Sequence, residues 1–239
     1  MKTAIKEKFR KVRKFFKENK VSALTAIFLG IATLMVAWTG WISALHESNQ
    51  AANYTKSNNL AAQGNAEYNV ETQVYISDLF TWNTISTLQL DMEAAKNKGD
   101  LAEVKVIEAK IAKIKQDNCS PKLLEVLNNM EAEGKSGSPF DDESYTSSYF
   151  EGAKKLLDES HQRLEAGDRD NLNSDSYELA SVLFSLVLFL LGIIGVLNEP
   201  QIRKGLLAFS IFVLCLAFIY MLTVPMPTDF NFLSFFNLK

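Results

Sequence analysis

Two histidines, His46 and His161, and two cysteines, Cys119 and Cys215, are all the chain has of these residue types. They are too widely spaced to give the short ligand intervals of a zinc site. Asp168, Asp170, Asn171, Asn173 and Asp175 set oxygen donors at the close intervals of a calcium loop. The glycine that turns such a loop and the glutamate that closes it are missing, so a polar connection is the better account. Walker, dinucleotide-binding, nucleophile-elbow and kinase patterns are absent from the sequence. The residues point to a non-enzymatic protein with no catalytic, cofactor-binding or metal residues.

What the sequence does carry is apolar length. Residues 21–45, 179–197 and 205–224 contain no Asp, Glu, Lys, Arg or His. At about 1.5 Å per helical residue each run is long enough for a hydrocarbon core of about 30 Å. The mean hydropathy of −0.02 hides this, because the runs are averaged with a long polar middle. A cleaved signal peptide is the rival reading of the first run, since a basic segment precedes it. Its 25 residues exceed the apolar core of about 7–15 residues that such peptides use, and an uncleaved signal anchor is expected. The third run holds Cys215, which therefore cannot readily pair with Cys119; Cys119 is either free or a link between two copies.

Charge orients these spans. In residues 1–20 nine Lys or Arg stand against Glu7 and Glu18, a balance of +7. That end is expected to stay in the cytoplasm, and Arg203 and Lys204, in the 198–204 connection, return to the same side. Residues 46–176, with 23 acidic and 13 basic side chains, and the 225–239 tail are then extracytoplasmic, in a cell membrane crossed three times. Phe9 and Phe16 lie with Ile5 and Val12 on one face of a basic amphipathic helix, and Lys6, Arg10, Lys11, Arg13, Lys14 and Lys17 fill the other. Such a helix suits anionic headgroups on the cytoplasmic leaflet; the same pattern serves nucleic-acid or calmodulin-like targets, but the tether to a span makes lipid the nearest anion. No nucleic-acid partner is expected.

Between the spans the helix signals dominate. The first span is expected to continue outward as a stalk to about Lys98, stopping at Gly99. Asp100 reads as an N-cap with Glu103 three residues on, Ser120 with Pro121 opens another helix, and Asp141 or Asp142 caps a further one that Gly167 closes. The fold class is therefore an all-α membrane protein, three transmembrane helices with an extracytoplasmic helical hairpin or bundle continuing the first span. The apolar stretch from Tyr75 to Met92 is expected to form core, against later helices or a second copy. The amide- and alanine-rich stretch 46–65 reads either as a solvated face or as a vestibule or oligomer seam.

Within the first span Ser22, Ala26, Gly30, Thr33, Ala37, Gly40 and Ala44 form a stripe of small residues, which permits close helix approach in lipid. Packing on the 179–224 hairpin, with Gly192 and Gly195 as the matching surface, is the favoured use, and self-association the other. Trp38 and Trp41 are interface anchors at the outer end of the span. The tail phenylalanines, Phe230 onward, return to that interface. This order of segments, a basic start, TAIFLGIATLMVAWTGWISALHESNQAANY, a helical middle and a closing hairpin, resembles bacterial three-span membrane proteins classed as domains of unknown function. The resemblance implies the topology and no functional residue. The expected roles are assembly or partner binding through the outer helices, as a homo-oligomer or with a membrane-protein partner. The alternative is a homo-oligomeric ion or small-solute channel with the first helix lining the pore.

Overall fold

The computed structural model describes residues 20–227 and Phe230. The membrane-surface set, Lys6, Phe9, Arg10, Lys11, Arg13, Lys14, Phe16 and Lys17, lies outside the described residues, as do the phenylalanines beyond residue 230. Every regular element among them is helical: α1 (Lys20–Lys98), α2 (Leu101–Asn118), α3 (Pro121–Glu133), a 3₁₀ turn (Pro139–Asp141), α4 (Glu143–Ser148), α5 (Glu151–Ile194) and α6 (Pro200–Thr223). Among the described residues three helices, α1, α5 and α6, are long and apolar enough to cross a membrane.

The helix ends follow local chemistry. No proline interrupts the 79 residues of α1, which ends where Gly99 turns to φ 78°, with Lys96 and Lys98 in its last turn. The Asp100 carboxylate accepts from the Ala102 and Glu103 amides at 3.1 and 3.0 Å, capping α2. Ser120 Oγ accepts from the Leu123 amide at 3.2 Å with Pro121 in the first turn of α3, and Gly134, at φ 66°, ends that helix. Asp142 caps α4, at 2.8 Å from the Ser144 amide. Pro200 opens α6, where its missing N–H leaves no helical bond unmade.

Gly167 does not close a helix. The α5 helix passes through it and through 168–175, the stretch expected to be a polar connection. Gly167 is buried because the Tyr54 ring fills the place of its side chain; a Cβ there would sit 2.5 Å from Tyr54 Cδ1. It is a packing glycine, and helical bonds on either side hold it in place.

The chain divides into two compact units, residues 56–162 and the remainder. In the membrane unit, the first part of α1 packs with α5 and α6 around Ala32, Ile42, Tyr177, Phe184, Val187, Leu191 and Leu214. Phe184 meets the Phe218 ring edge-on at 6.2 Å. In the polar unit the continuation of α1 carries one cluster around Ile85, Leu123, Leu127, Tyr145 and Tyr149 and another around Ala95, Val104 and Ile107. Burying each of these larger side chains is worth about 1.5–3 kcal/mol. Part of the expected 75–92 core takes this role: Tyr75 and Trp82 pack on the first cluster, Leu88 and Met92 on the second. Phe80 is 67% exposed.

Small residues set how closely α1 and α5 approach in each unit. Along α1, positions 43, 57 and 64 are Ser, Ser and Gly; along α5, positions 153, 160, 167 and 174 are Ala, Ser, Gly and Ser, all buried. In the polar unit a Cβ on Gly64 would lie 2.9 Å from Leu157 Cγ and 3.3 Å from the Ala153 carbonyl. Gly64→Leu is therefore expected to lower the unfolding free energy of the full chain in mild detergent by about 1–3 kcal/mol through overpacking. Gly30→Ala, where nothing stands within 4 Å of the added carbon, is expected to leave it unchanged or raise it. Equal thermal midpoints for Gly64→Leu and the unsubstituted chain, followed by circular dichroism, would contradict this packing.

Candidate functional site

Two buried polar clusters, one in each unit, gather the groups capable of chemistry. In the membrane unit His46 is 1% exposed. Its Nδ1 lies 2.8 Å from Asp170 Oδ1 and its Nε2 lies 3.1 Å from the Pro225 carbonyl. Both partners are acceptors, and a ring nitrogen that carries a hydrogen donates to the one it faces. The Tyr177 ring stacks on the imidazole at 5.8 Å, and its hydroxyl donates to the Val224 carbonyl at 3.2 Å. The chain segment that leaves α6 is thereby fastened to α1 and α5.

Further pairs extend this layer. Asn53 donates to Asp170 Oδ2 at 3.3 Å, Gln50 to Asn171 Oδ1 at 2.8 Å, and the Tyr54 hydroxyl to Asp168 Oδ1 at 2.7 Å. That last bond to a carboxylate raises the Tyr54 phenol above its ordinary value. Ser43 and Ser174 share a hydroxyl contact of 2.9 Å, and Ser174 also donates to the Ser43 carbonyl at 3.3 Å. In each unit one side of the amide-rich stretch 46–65 binds α5, at Gln50 in the membrane unit and at Ser57 and Gly64 in the polar unit, while Ser48, Asn58, Asn59, Gln63 and Asn65 are exposed.

An imidazole acting as a general base keeps one nitrogen toward an orienting carboxylate and the other toward the reacting group. Here Nε2 is held by a backbone carbonyl, and the neighbouring serines bond one another. The cluster's geometry is that of a fastener.

In the polar unit Asp78 is 1% exposed and accepts three bonds: from the Ser120 amide at 2.9 Å, the Ser120 hydroxyl at 2.5 Å and the Tyr149 hydroxyl at 2.7 Å. Ser120 thereby caps α3 and ties it to α1 at once. Tyr149 also meets the Tyr145 hydroxyl, and Lys122 Nζ stands 4.9 Å over the Tyr149 ring while bonding Glu71 at 3.2 Å. Burial holds the Tyr149 phenol far above its ordinary value, with the bonds to Tyr145 and Asp78 adding to it. Burial pushes Tyr145 up to about 12. The Cys119 thiol is raised by burial and then by Asp78, which makes it a poor thiolate source. Among the described residues no group of three or more His, Cys, Asp or Glu is arranged to hold a metal ion.

The small-residue stripe lies elsewhere. Ser22 accepts from Arg203 Nη2 at 2.9 Å, but Ala26, Gly30, Thr33, Ala37, Gly40 and Ala44 are all exposed, as are Gly192 and Gly195. The expected packing of this stripe on the hairpin is therefore corrected. The buried positions of α1 in this unit include Ala32, Thr39, Ile42, Ser43 and His46: Ala32 and Ile42 belong to the cluster of Phe184, Val187 and Leu214, Ser43 meets Ser174, and His46 stacks on Tyr177. Trp38 and Trp41 lie 5.5 Å apart and pack edge-on against Phe230, at 5.9 and 5.7 Å. Asn53, Asp78 and Tyr149 went unread as parts of a polar cluster, and Asp170 was weighed only as a calcium-loop donor. For Asp78 the signal was the seven-residue interval of Ser43, Gln50, Ser57, Gly64, Glu71 and Asp78 along α1.

Both tyrosines are held neutral by the fold, with pKa values above the ordinary 10.0. Their contribution to stability is complete below pH 10 and is lost as pH rises through about 12 for Tyr145. A tyrosinate absorbance titration of the full chain is expected to show two phenols ionising only as the helical signal falls, and their absence from the same titration of a Tyr145→Phe/Tyr149→Phe double variant. Ionisation of all tyrosines near pH 10 with the helical signal intact would refute this assignment.

Comparison with known proteins finds no matching family model, no matching curated protein and no matching solved structure.

Proposed function

We propose that the protein is a non-enzymatic integral membrane protein whose helices beyond the spans mediate assembly or contact with a partner. The observation that carries this reading is on the polar unit: Ile76, Phe80 and Leu90 stand 45%, 67% and 65% exposed along α1. Apolar side chains of that size, aligned on one helix and uncovered, mark a surface that another molecule covers. The buried polar groups support the same reading, because His46, Asp170 and Asp78 are engaged in bonds between helices.

In this reading the start of α1 is cytoplasmic and the polar unit extracytoplasmic. The basic residues 1–20 and the Arg203–Lys204 pair favour it, and the Arg203–Ser22 bond places Arg203 beside the start of α1. In the same reading the basic residues 1–20 meet anionic headgroups. The second reading is a channel formed between copies. It is favoured by the uncovered stripe of Ala26, Gly30, Thr33, Ala37 and Gly40, whereas the middle of one chain's own span bundle is filled by Phe184, Val187, Leu191 and Leu214.

In a chain with Cys119→Ser and Cys215→Ser, a cysteine at exposed Ser136 is expected to react with a membrane-impermeant maleimide on intact cells. Labelling only after lysis would reverse the orientation. The full chain extracted in mild detergent is expected to run as a complex larger than one copy. A bare monomer would remove both the assembly and the channel readings, and sustained conductance in a planar bilayer would favour the channel.

A further inference from the structure

The face of α1 that the rest of the polar unit leaves open has a regular composition. From Asn69 to Ala94, positions 69, 73, 76, 80, 83, 87, 90 and 94 follow at alternating steps of four and three, the spacing of a coiled-coil seam. All eight are exposed and none is charged. Ile76, Phe80 and Leu90 give it apolar bulk, and Asn69, Gln73 and Asn83 give it amides. The threonines along this side keep their donors within the helix: Thr87 Oγ1 donates to the Asn83 carbonyl at 2.9 Å, Thr84 to Phe80 at 3.0 Å, Thr72 to Tyr68 at 2.7 Å. A threonine bonded in this way makes no demand on solvent for its hydrogen.

We infer that the occupant of this face is a second copy of the chain, lying parallel and in register along residues 69–94. This deepens the assembly reading and rests on it. The amides are unsuited to lipid tails, and the phenylalanine and leucine to water. A second copy satisfies both demands through the tether. The seam belongs to the same uninterrupted helix as the first span, so two copies inserted in one membrane carry it at the same number of residues from the span and with the same chain direction. In such a pair every side chain meets its own duplicate. A charge would then face its own sign, and the seam has none; a carboxamide meets another carboxamide, and each group both donates and accepts. Asn83 therefore bonds its counterpart and fixes the register, as a polar residue within a coiled-coil seam does.

The test uses the full chain in native membranes, with Cys119→Ser and Cys215→Ser as the background and single cysteines placed by Phe80→Cys, Asn83→Cys, Thr87→Cys and Lys105→Cys. Mild oxidation is expected to give disulfide-linked dimers at the first three and none at Lys105, which is exposed on α2. Adding Phe80→Glu to the Thr87→Cys chain is expected to reduce dimer at least tenfold, because two glutamates then oppose each other, while Phe80→Leu preserves it. Absence of dimer at all three seam positions, or equal dimer at Lys105, overturns the inference. A photo-crosslinking residue at position 80 separates the two claims. An adduct with a different polypeptide overturns the second copy and leaves partner binding standing, whereas no adduct of any kind overturns both.

Discussion

Helices faced with serine, glycine and alanine approach more closely than helices faced with leucine, and close approach brings hydroxyls within reach of the opposite backbone. That constraint organises the contact of α1 with α5 in each unit. Ser43 and Ser174 bond hydroxyl to hydroxyl, and Ser174 also donates to the Ser43 carbonyl. In the polar unit Ser160 makes the same pair of bonds to Ser57, at 3.1 Å to the hydroxyl and 2.8 Å to the carbonyl. In a bilayer such contacts matter because lipid tails compete with apolar side chains on equal terms, so association depends on packing and on hydrogen bonds between helices. In the polar unit, where water is the competitor, the same closeness is supplemented by burial of Ile85, Leu123 and Leu127.

Close approach also explains why ionisable groups are buried at all. A carboxylate removed from water is costly unless its lone pairs are met, and Asp78 has three donors around it. Asp170 receives bonds from His46 and Asn53 on its two oxygens. Both aspartates tie a local feature to a distant one: the cap of α3 to α1 in one case, and α5, through His46, to the segment after α6 in the other. Apolar contacts tolerate sliding by a fraction of a residue; these geometries do not, so the polar clusters fix register where small side chains alone would leave it free.

How much of this was legible in the residues depended on the range of the interaction. Gly99, Asp100, Ser120, Pro121 and Asp142 act on backbone groups two or three positions away, so their roles stand in the sequence without knowledge of any other helix. The three apolar runs were equally legible, since length and absence of charge are local properties. Gly167 was misread because a helix-ending glycine and a helix-packing glycine look alike until the ring of Tyr54, more than a hundred positions earlier, is placed against it. The small-residue stripe of the first span failed for a related reason. Small residues occur on two sides of α1, and the spacing of one side says nothing about which side the hairpin takes. Ser43 and Ser57, on the side that is taken, find side-chain partners in α5, more than a hundred positions later, whereas Thr39 bonds back to Met35 and Val36 of its own helix.

The uncovered side of α1 changes character along its length. In the first span its exposed positions include the small residues Ala26, Gly30, Ala37 and Gly40 beside Leu29 and Leu34; in the polar unit they include Ile76, Phe80 and Leu90 beside Asn69, Gln73, Asn83 and Thr87. Two copies meeting along this side would need that change, because the force available differs between the two media. In lipid, exchanging a leucine–lipid contact for a leucine–leucine contact gains little, and the advantage lies in small residues that let backbones touch. In water the gain comes from removing apolar area, and large side chains supply more of it. A helix selected only for solubility would instead carry charge at exposed positions in the polar unit, as α2 does with Lys105, Glu108, Lys110 and Lys113. In the assembly proposed above, the small residues of the span would permit close approach in lipid, and the apolar residues of the polar unit would supply the area removed from water.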